Sequence, residues 1–393
     1  LFANTDFIMN GNAHGEVAER LGSIDFDPGL LRPYFDEHGE RCVTLNTGRV
    51  KRDDQGRMSP IFHKFYVSDL MHRGVSTPVL NATMLRKDDW LEMDRVVLRA
   101  ARQRLRAWSD LSARNSFGGF NGMAKMILEH ETMSDPGQAV VDMDALTEST
   151  TDAPKFQLEG LPLPITHSDF HFSERRLRVS RNSGTPLDLT QAEAAGRRVG
   201  ELIEKTLIGT QTGVTYGGNS TLVGGYSNAS KVWGYTNFTD RLTYTSLTTP
   251  TGTNPNSTVN DVLAMRELLY DDFFYGPFMI YHSTDWDQYL DNDYYVTSTG
   301  APYQTLRDRL RTIEGIEDVR RLDFLTASTN PYTMIMVQMT PDVARAVNGM
   351  NITTVQWESM GGLRQNFKVM AIQVPQLRSE FSGKCGLLHA TTS

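Results

Sequence analysis

Apolar residues recur every three to four positions in a few windows of the chain, and the clearest is 186–209, PLDLTQAEAAGRRVGELIEKTLIG. Leu189, Ala192, Ala195, Val199, Leu202 and Ile203 form one stripe there, which predicts a buried-face helix over 188–208. Pro186 precedes it, Thr190 and Glu193 have capping-box spacing, and Gly209 stands at its end. Glu201 and Lys205 are spaced as a surface ion pair. Gly196 and Gly200 cost helix propensity, but their four-residue spacing opens a track for another backbone. A second helix is predicted over 88–108, with Trp90, Met93, Val97, Ala100 and Leu105 on one side and five arginines over much of the rest. That basic side reads as a solvated face, or as a contact for an acidic neighbour or nucleic acid. TVNDVLAMRELLYDD, 258–272, makes a third helix.

Period-two alternation is cleanest in ITHSDFHFS, which puts His167, Asp169 and His171 on one face and Phe170 and Phe172 on the other. PFMIYH, 277–282, reads as a strand, and STDWDQYLDNDYY as a short helix running into a loop. FLTASTNPYTMIMVQMTPDVARAVNG suggests two strands around a turn, then a short helix starting near Pro341. The closing residues from Asn351 are largely strand material. The predicted class is α+β, with long helices embedded in mostly antiparallel sheet.

Turn formers dominate three other regions. Residues 1–83 break into short apolar segments separated by NGNAHG, FDPG, DEHGE and KRDDQG, as expected of an arm without a compact core. Residues 131–160 carry little periodicity and predict a projecting hairpin or loop. Residues 210–256 are rich in Thr, Gly, Asn and Tyr, and their glycines match no phosphate-cradling pattern.

A length of 393 residues implies two or three cores, or one elaborated core. With 47 acidic against 39 basic residues the net charge is −8, which argues against a dedicated nucleic-acid grip and leaves passive contact open. Only Cys42 and Cys385 occur, far apart, so neither a disulfide scaffold nor a structural zinc site is expected. No apolar run reaches the roughly 18 residues of a membrane helix, and no membrane partner is expected.

Two clusters could carry chemistry. His167, Asp169 and His171 are potential ligands, yet same-face neighbours on a strand stand about 7 Å apart, so a polar face is the simpler reading. His282, Asp285, Asp287, Asp291 and Asp293 lie close in sequence but lack the glycine of a calcium loop. They read best as a solvated helix start. No nucleophile motif or HExxH appears, so no catalytic residue, cofactor or metal is predicted and the chain is not expected to be an enzyme.

The segment LPLPITHSDFHFSERRLRVSRNSGTPLDLTQAEAAGRRVGELIEKTLIG resembles the entry strand and spine helix of encapsulins and of phage major capsid proteins of the Hong Kong 97-type fold. Leu161, Pro162, Leu163, Gly184, Pro186, Asp188 and Gly209 carry the match, with Asp188 one residue closer than the commonest spacing. Three further segments agree in order: the helix after Leu85 with Trp90 and Asp94, the unit with Gly276, Pro277, Asp285 and Trp286, and the terminal strands. The resemblance implies an arm at 1–83, an N-terminal helix region at 84–130 and an extended loop at 131–165. A peripheral domain would take 166–210 and 335–393, with the spine helix at 188–208, and an axial domain 211–334. Trp90, Lys155, Pro186, Asp188, Val199, Gly209, Pro277 and Trp286 are then the expected structural and assembly residues.

The implied function is the major capsid protein of a tailed bacteriophage. It would self-assemble from pentamers and hexamers, in the host cytoplasm, into the icosahedral shell of a virion enclosing double-stranded DNA. Scaffolding, portal and decoration proteins are implied as partners, and an encapsulin-type shell enclosing cargo protein is the alternative. Some capsids of this fold join a loop lysine to an asparagine on another subunit. Lys155 is the sole lysine in 130–160, and Asn348 or Asn351 is a conceivable acceptor. Nothing in the sequence brings Glu358 or another carboxylate beside such a pair, so non-covalent shells are expected.

Overall fold

The described strands of this chain gather into four open sheets. The structure, a computed structural model, describes residues 31–52, 58–72, 87–134, 141–144, 153–183, 189–210, 232–251, 255–292, 304–325 and 332–392. Among these, no helix is long and apolar enough to cross a membrane.

The described residues open with β1 (Tyr34–Phe35), β2 (Arg41–Arg52) and β3 (Met58–Tyr66), an antiparallel meander followed by α1 (Val67–His72). Val43, Leu45, Val67 and Leu70 bury against one another there. A small core thus exists where the turn-rich reading expected none, because α1 packs Val67 and Leu70 against Val43 and Leu45 of the β2–β3 hairpin.

Next come α2 (Lys87–Arg102) and α3 (Ala107–Arg114), in place of the single helix predicted over 88–108. The break is stabilised from a distance. Glu204 accepts the backbone N–H of Ala107 at 2.7 Å and of Trp108 at 3.1 Å, capping the start of α3. After β4 (Ser116–Gly118), the strands β5 (Ile127–Met133) and β6 (Phe156–Pro162) pair antiparallel, giving the expected hairpin its two arms.

β7 (Thr166–Ser173) leads through α4 (Glu174–Ser183) to α5 (Thr190–Ile208). The predicted long helix is therefore present, and it packs on α2, β7 and the C-terminal strand β13 (Arg364–Leu377). Its buried face comprises Ala192, Ala195, Gly196, Val199, Gly200, Ile203, Glu204, Leu207 and Ile208, with Leu202 half-buried beside it. Thr190 is the first helical residue and Leu189 occupies the cap position, so the expected capping box is not what starts α5. Gly209 does end it, at φ 99°, with its N–H on the Lys205 carbonyl at 2.9 Å.

The two helix glycines act as predicted. A Cβ on Gly196 would lie 2.6 Å from the Val97 carbonyl oxygen, and one on Gly200 would lie 2.7 Å from that of Ala101. Only bare backbone lets α2 and α5 come this close. Behind them Phe170, Phe172, Phe367 and Trp90 form an aromatic cluster, with Phe170 and Phe367 stacked at 5.2 Å across paired strands.

The second half contributes β8 (Leu242–Leu247), α6 (Pro255–Asp271), β9 (Phe278–His282), α7 (Asp287–Leu290), α8 (Leu306–Arg311) and β10 (Ile316–Arg321). It closes with β11 (Thr333–Gln338), β12 (Ala344–Ser359), β13 and β14 (Leu387–Thr392). The short helix expected near Pro341 is instead a turn, in which Val343 and Ala344 both donate to the Thr340 carbonyl before β12 begins. β8 lies in the region 210–256, whose composition suits loops and short strands, whereas α8 and β10 were not foreseen.

Sheet pairing divides residues 335–393 between two layers. β12 and β13 join the sheet β4-β12-β13-β7, whereas β11 and β14 join β10-β9-β11-β14-β8. β9 is buried along its whole length because both faces are covered. Phe278 and Ile280 face the cluster of α6 and α8, while Met279 and Tyr281 face the core under α5. The alternation of one strand thereby joins the two cores.

Candidate functional site

Among the described residues, what the fold leaves unpartnered is apolar surface. The β5–β6 hairpin is anchored where Leu161 and Leu163 bury against Val347, Ile372 and Val374. Its far end is apolar and bare, with Met133 53%, Phe156 65% and Leu158 52% exposed. Lys155, also exposed, sits at that end, where its N–H donates to Ser134 Oγ at 2.8 Å and its carbonyl accepts from the Ser134 N–H at 2.9 Å. Large apolar side chains on a projecting ribbon mark a docking surface.

Two further edges share this character. At the β12–β13 tip Met360 and Leu363 are exposed beside Gly361 and Gly362, and Met360 itself has φ 54°. After α6, Phe273 is 70% exposed at φ 67°, a conformation that bulky residues rarely adopt. Lys384 lies 4.7 Å from the centre of its ring and 3.3 Å from Asp272.

The remaining expected residues have structural surroundings. Trp90 donates from Nε1 to the Pro33 carbonyl at 3.1 Å, under the Arg32 guanidinium, which also pairs with Asp94. Val199 is buried on α5, and Pro277 follows Gly276 through a cis peptide and accepts the Met339 N–H at 2.9 Å. Trp286 is fully buried, edge-on to Tyr332. Pro186 and Asp188 lie outside the described residues, as does Gly184. Asn348 donates from Nδ2 to Ser116 Oγ at 2.9 Å, Asn351 is exposed, and Glu358 accepts from Gln365 Nε2 at 3.0 Å.

His167, Asp169 and His171 do share one exposed face of β7. Protein groups already occupy them: His167 and Asp169 lie 3.5 Å apart, Lys368 is 3.7 Å from Asp169, and Arg364 donates to His171 at 3.0 Å. Among the described residues, no group of three His, Cys, Asp or Glu side chains is disposed to hold a metal ion.

The second acidic cluster is likewise taken up by arginines. His282 is buried, with Nδ1 2.9 Å from the Ser283 carbonyl and Nε2 3.2 Å from Arg307. Burial, reinforced by that guanidinium, holds its pKa down at about 4, so the ring is neutral and Nε2 accepts. Arg307 also pairs with Asp287 at 3.1 Å and Asp291 at 2.8 Å, and Arg321 holds Asp287 at 2.8 Å. Asp285 points to solvent and Asp293 lies outside the described residues.

Glu204 was not foreseen. It falls on the buried face of α5, and burial pushes its pKa up to about 7 despite the two N–H donors of α3. The available signal was a glutamate four residues after Gly200 on the apolar stripe. The predicted Glu201–Lys205 pair is absent: Glu201 meets Arg104 at 3.5 Å and Arg197 at 3.9 Å, while Lys205 lies over the Phe324 ring.

The model of a family described as Family of unknown function (DUF6260) matches residues 80–390. The chain belongs to this family. No curated protein matches the sequence. Among solved structures, the virus-like particle from Pyrococcus furiosus is similar with a TM-score of 0.50 at 13% identity, over 77% of this chain and 98% of that one. The capsid of Myoviridae Phage XM1 gives 0.49 at 10% identity, over 70% and 89%. Mycobacterium phage Bobi gives 0.49 at 11%, over 75% and 90%. At such identities the likeness is one of fold, and this DUF6260 member has the Hong Kong 97-type, encapsulin-like fold.

Proposed function

We propose that this DUF6260 chain is a shell-forming subunit, the major capsid protein of a tailed bacteriophage, whose icosahedral shell encloses double-stranded DNA. The observation that carries the reading is the apolar end of the β5–β6 hairpin, anchored in a core yet uncovered in the single chain. A projecting ribbon of this kind gains stability only by lying over another copy, and a closed assembly sums many such contacts. In this reading α5 is the spine of a peripheral domain with β4, β12, β13 and β7, the hairpin is the extended loop, and the five-stranded sheet belongs to the axial domain. The meander at 34–72 is an arm, tied to α2 through Arg32–Asp94 and Trp90–Pro33. Scaffolding, portal and decoration proteins would be its partners in a virion assembled in the host cytoplasm. Its side chains are structural rather than catalytic.

A compartment enclosing protein cargo is the second reading. It is favoured by the virus-like particle, which the match covers over 98% of its length. Negative-stain images of the purified chain test the first step, with hollow closed particles expected. A monodisperse monomer under all assembly conditions would overturn both readings. Nuclease-protected DNA in particles from infected cells supports the capsid, and co-purifying protein cargo without DNA supports the compartment.

A further inference from the structure

Arg95, Arg99 and Arg102 are exposed on α2, opposite the face that packs on α5. At 100° per residue the three fall within about 60° of arc, spaced about 6 and 4.5 Å along the axis. Arg106 is exposed just past the break. Among the described residues none of the four has an ion pair or a side-chain hydrogen bond. Like charges three and four apart destabilise a helix. The helix dipole accounts for Arg99 and Arg102 in the last turn but not for Arg95, which lies two turns from the end, nor for Arg106 beyond it.

The neighbouring carboxylates do not neutralise this row. On the adjacent helix Glu201 is shared between Arg104 and Arg197, which leaves that flank basic as well. Glu92 is exposed near the other end of the row without an ion pair to it. A chain of net charge −8 thus concentrates unpaired arginines on one ridge. A forked guanidinium matches phosphate oxygens bidentately, and duplex DNA presents a charge about every 1.7 Å of axis.

We propose that the Arg95–Arg99–Arg102 ridge, with Arg106 just past the break, is a contact surface for the phosphodiester backbone of double-stranded DNA. The inference deepens the capsid reading by naming where the wall meets its contents, and it predicts affinity without base sequence preference.

The test is a fluorescence-anisotropy titration of a labelled 30-base-pair duplex with the full-length chain, run before assembly and across salt concentrations. Each phosphate neutralised contributes about 0.9 to the slope of log affinity against log salt. R95Q/R99Q/R102Q should therefore lower that slope by about 2.7, and the ridge's share of affinity should fall about 40-fold between 50 and 200 mM salt. Glutamine keeps helix propensity, so circular dichroism should be unchanged. The triple lysine variant should restore most of the slope.

Wild-type affinity and slope in the glutamine variant, or no binding by the wild type, would overturn the proposal. So would displacement of the duplex by poly-glutamate at equal charge, which would make the ridge a site for acidic protein. Particle images are read independently: closed shells with an unchanged glutamine variant sink this inference alone, and DNA binding without shells sinks the capsid reading alone.

Discussion

Glu204, His282 and His389 are the groups whose burial most directly makes stability depend on pH. The Glu204 carboxyl has a folded pKa of about 7 against 4.5 when free. Between those values the folded chain holds the extra proton. The stabilisation is complete below 4.5 and is lost as pH rises through 7, by about 3 kcal/mol in all. The two histidines act in the opposite sense. Burial lowers both from 6.5 to about 4, so their contribution is complete above 6.5 and is lost as pH falls through 4. Below about pH 7 two rising contributions outweigh one falling one, and above it all three are nearly complete. Thermal unfolding from pH 5 to 8 is expected to rise to a plateau near pH 7. Glu204→Gln should steepen the rise between pH 5 and 7, and a rise no steeper than the wild type's would show that Glu204 does not oppose it.

At the scale of elements, the α2–α5 contact is the one most exposed to a single atom. Gly200→Ala adds helix propensity worth about 1 kcal/mol, but its methyl would meet the Ala101 carbonyl oxygen at 2.7 Å. Backbone cannot step aside as a flexible side chain can, so the close approach should win, with a net loss of about 2 kcal/mol in urea unfolding. A more stable variant would mean that the helices have room to part. The glycine spacing was legible in the sequence because it is periodic. The break between α2 and α3 was not, since the carboxylate that caps α3 lies 97 residues away from Ala107.

For the whole molecule, the decisive experiment separates folding from assembly. Phe156 and Leu158 are exposed on the hairpin, so changing both to Asp should leave the melting temperature of the single chain within about 2 °C of the wild type. The same change should abolish particles in sedimentation, since it buries two charges wherever a neighbour covers that surface. Particles of wild-type size would exclude the hairpin as an essential contact. Mature particles boiled in detergent should release 44.2 kDa subunits if the shell is held by non-covalent contacts alone, as expected here. A ladder of multimers that vanishes in Lys155→Ala would show a covalent weld.

By itself the sequence determined the elements whose burial repeats locally: α5 from its stripe to Gly209, and β7 with its phenylalanines turned inward. The resemblance of four ordered segments also named the fold before any coordinate did. Tertiary structure alone decided which strand lies beside which. FMIYH in β9 is buried on both faces, so its pattern carries no alternation and names no neighbour. Its pairing with β11, and that of β14 with β8, sends the chain's end into a different sheet from β12 and β13. Glu204 belongs to the same class. Periodicity records how often a residue meets the core, whereas strand order and a cap supplied from another helix depend on contacts between distant segments.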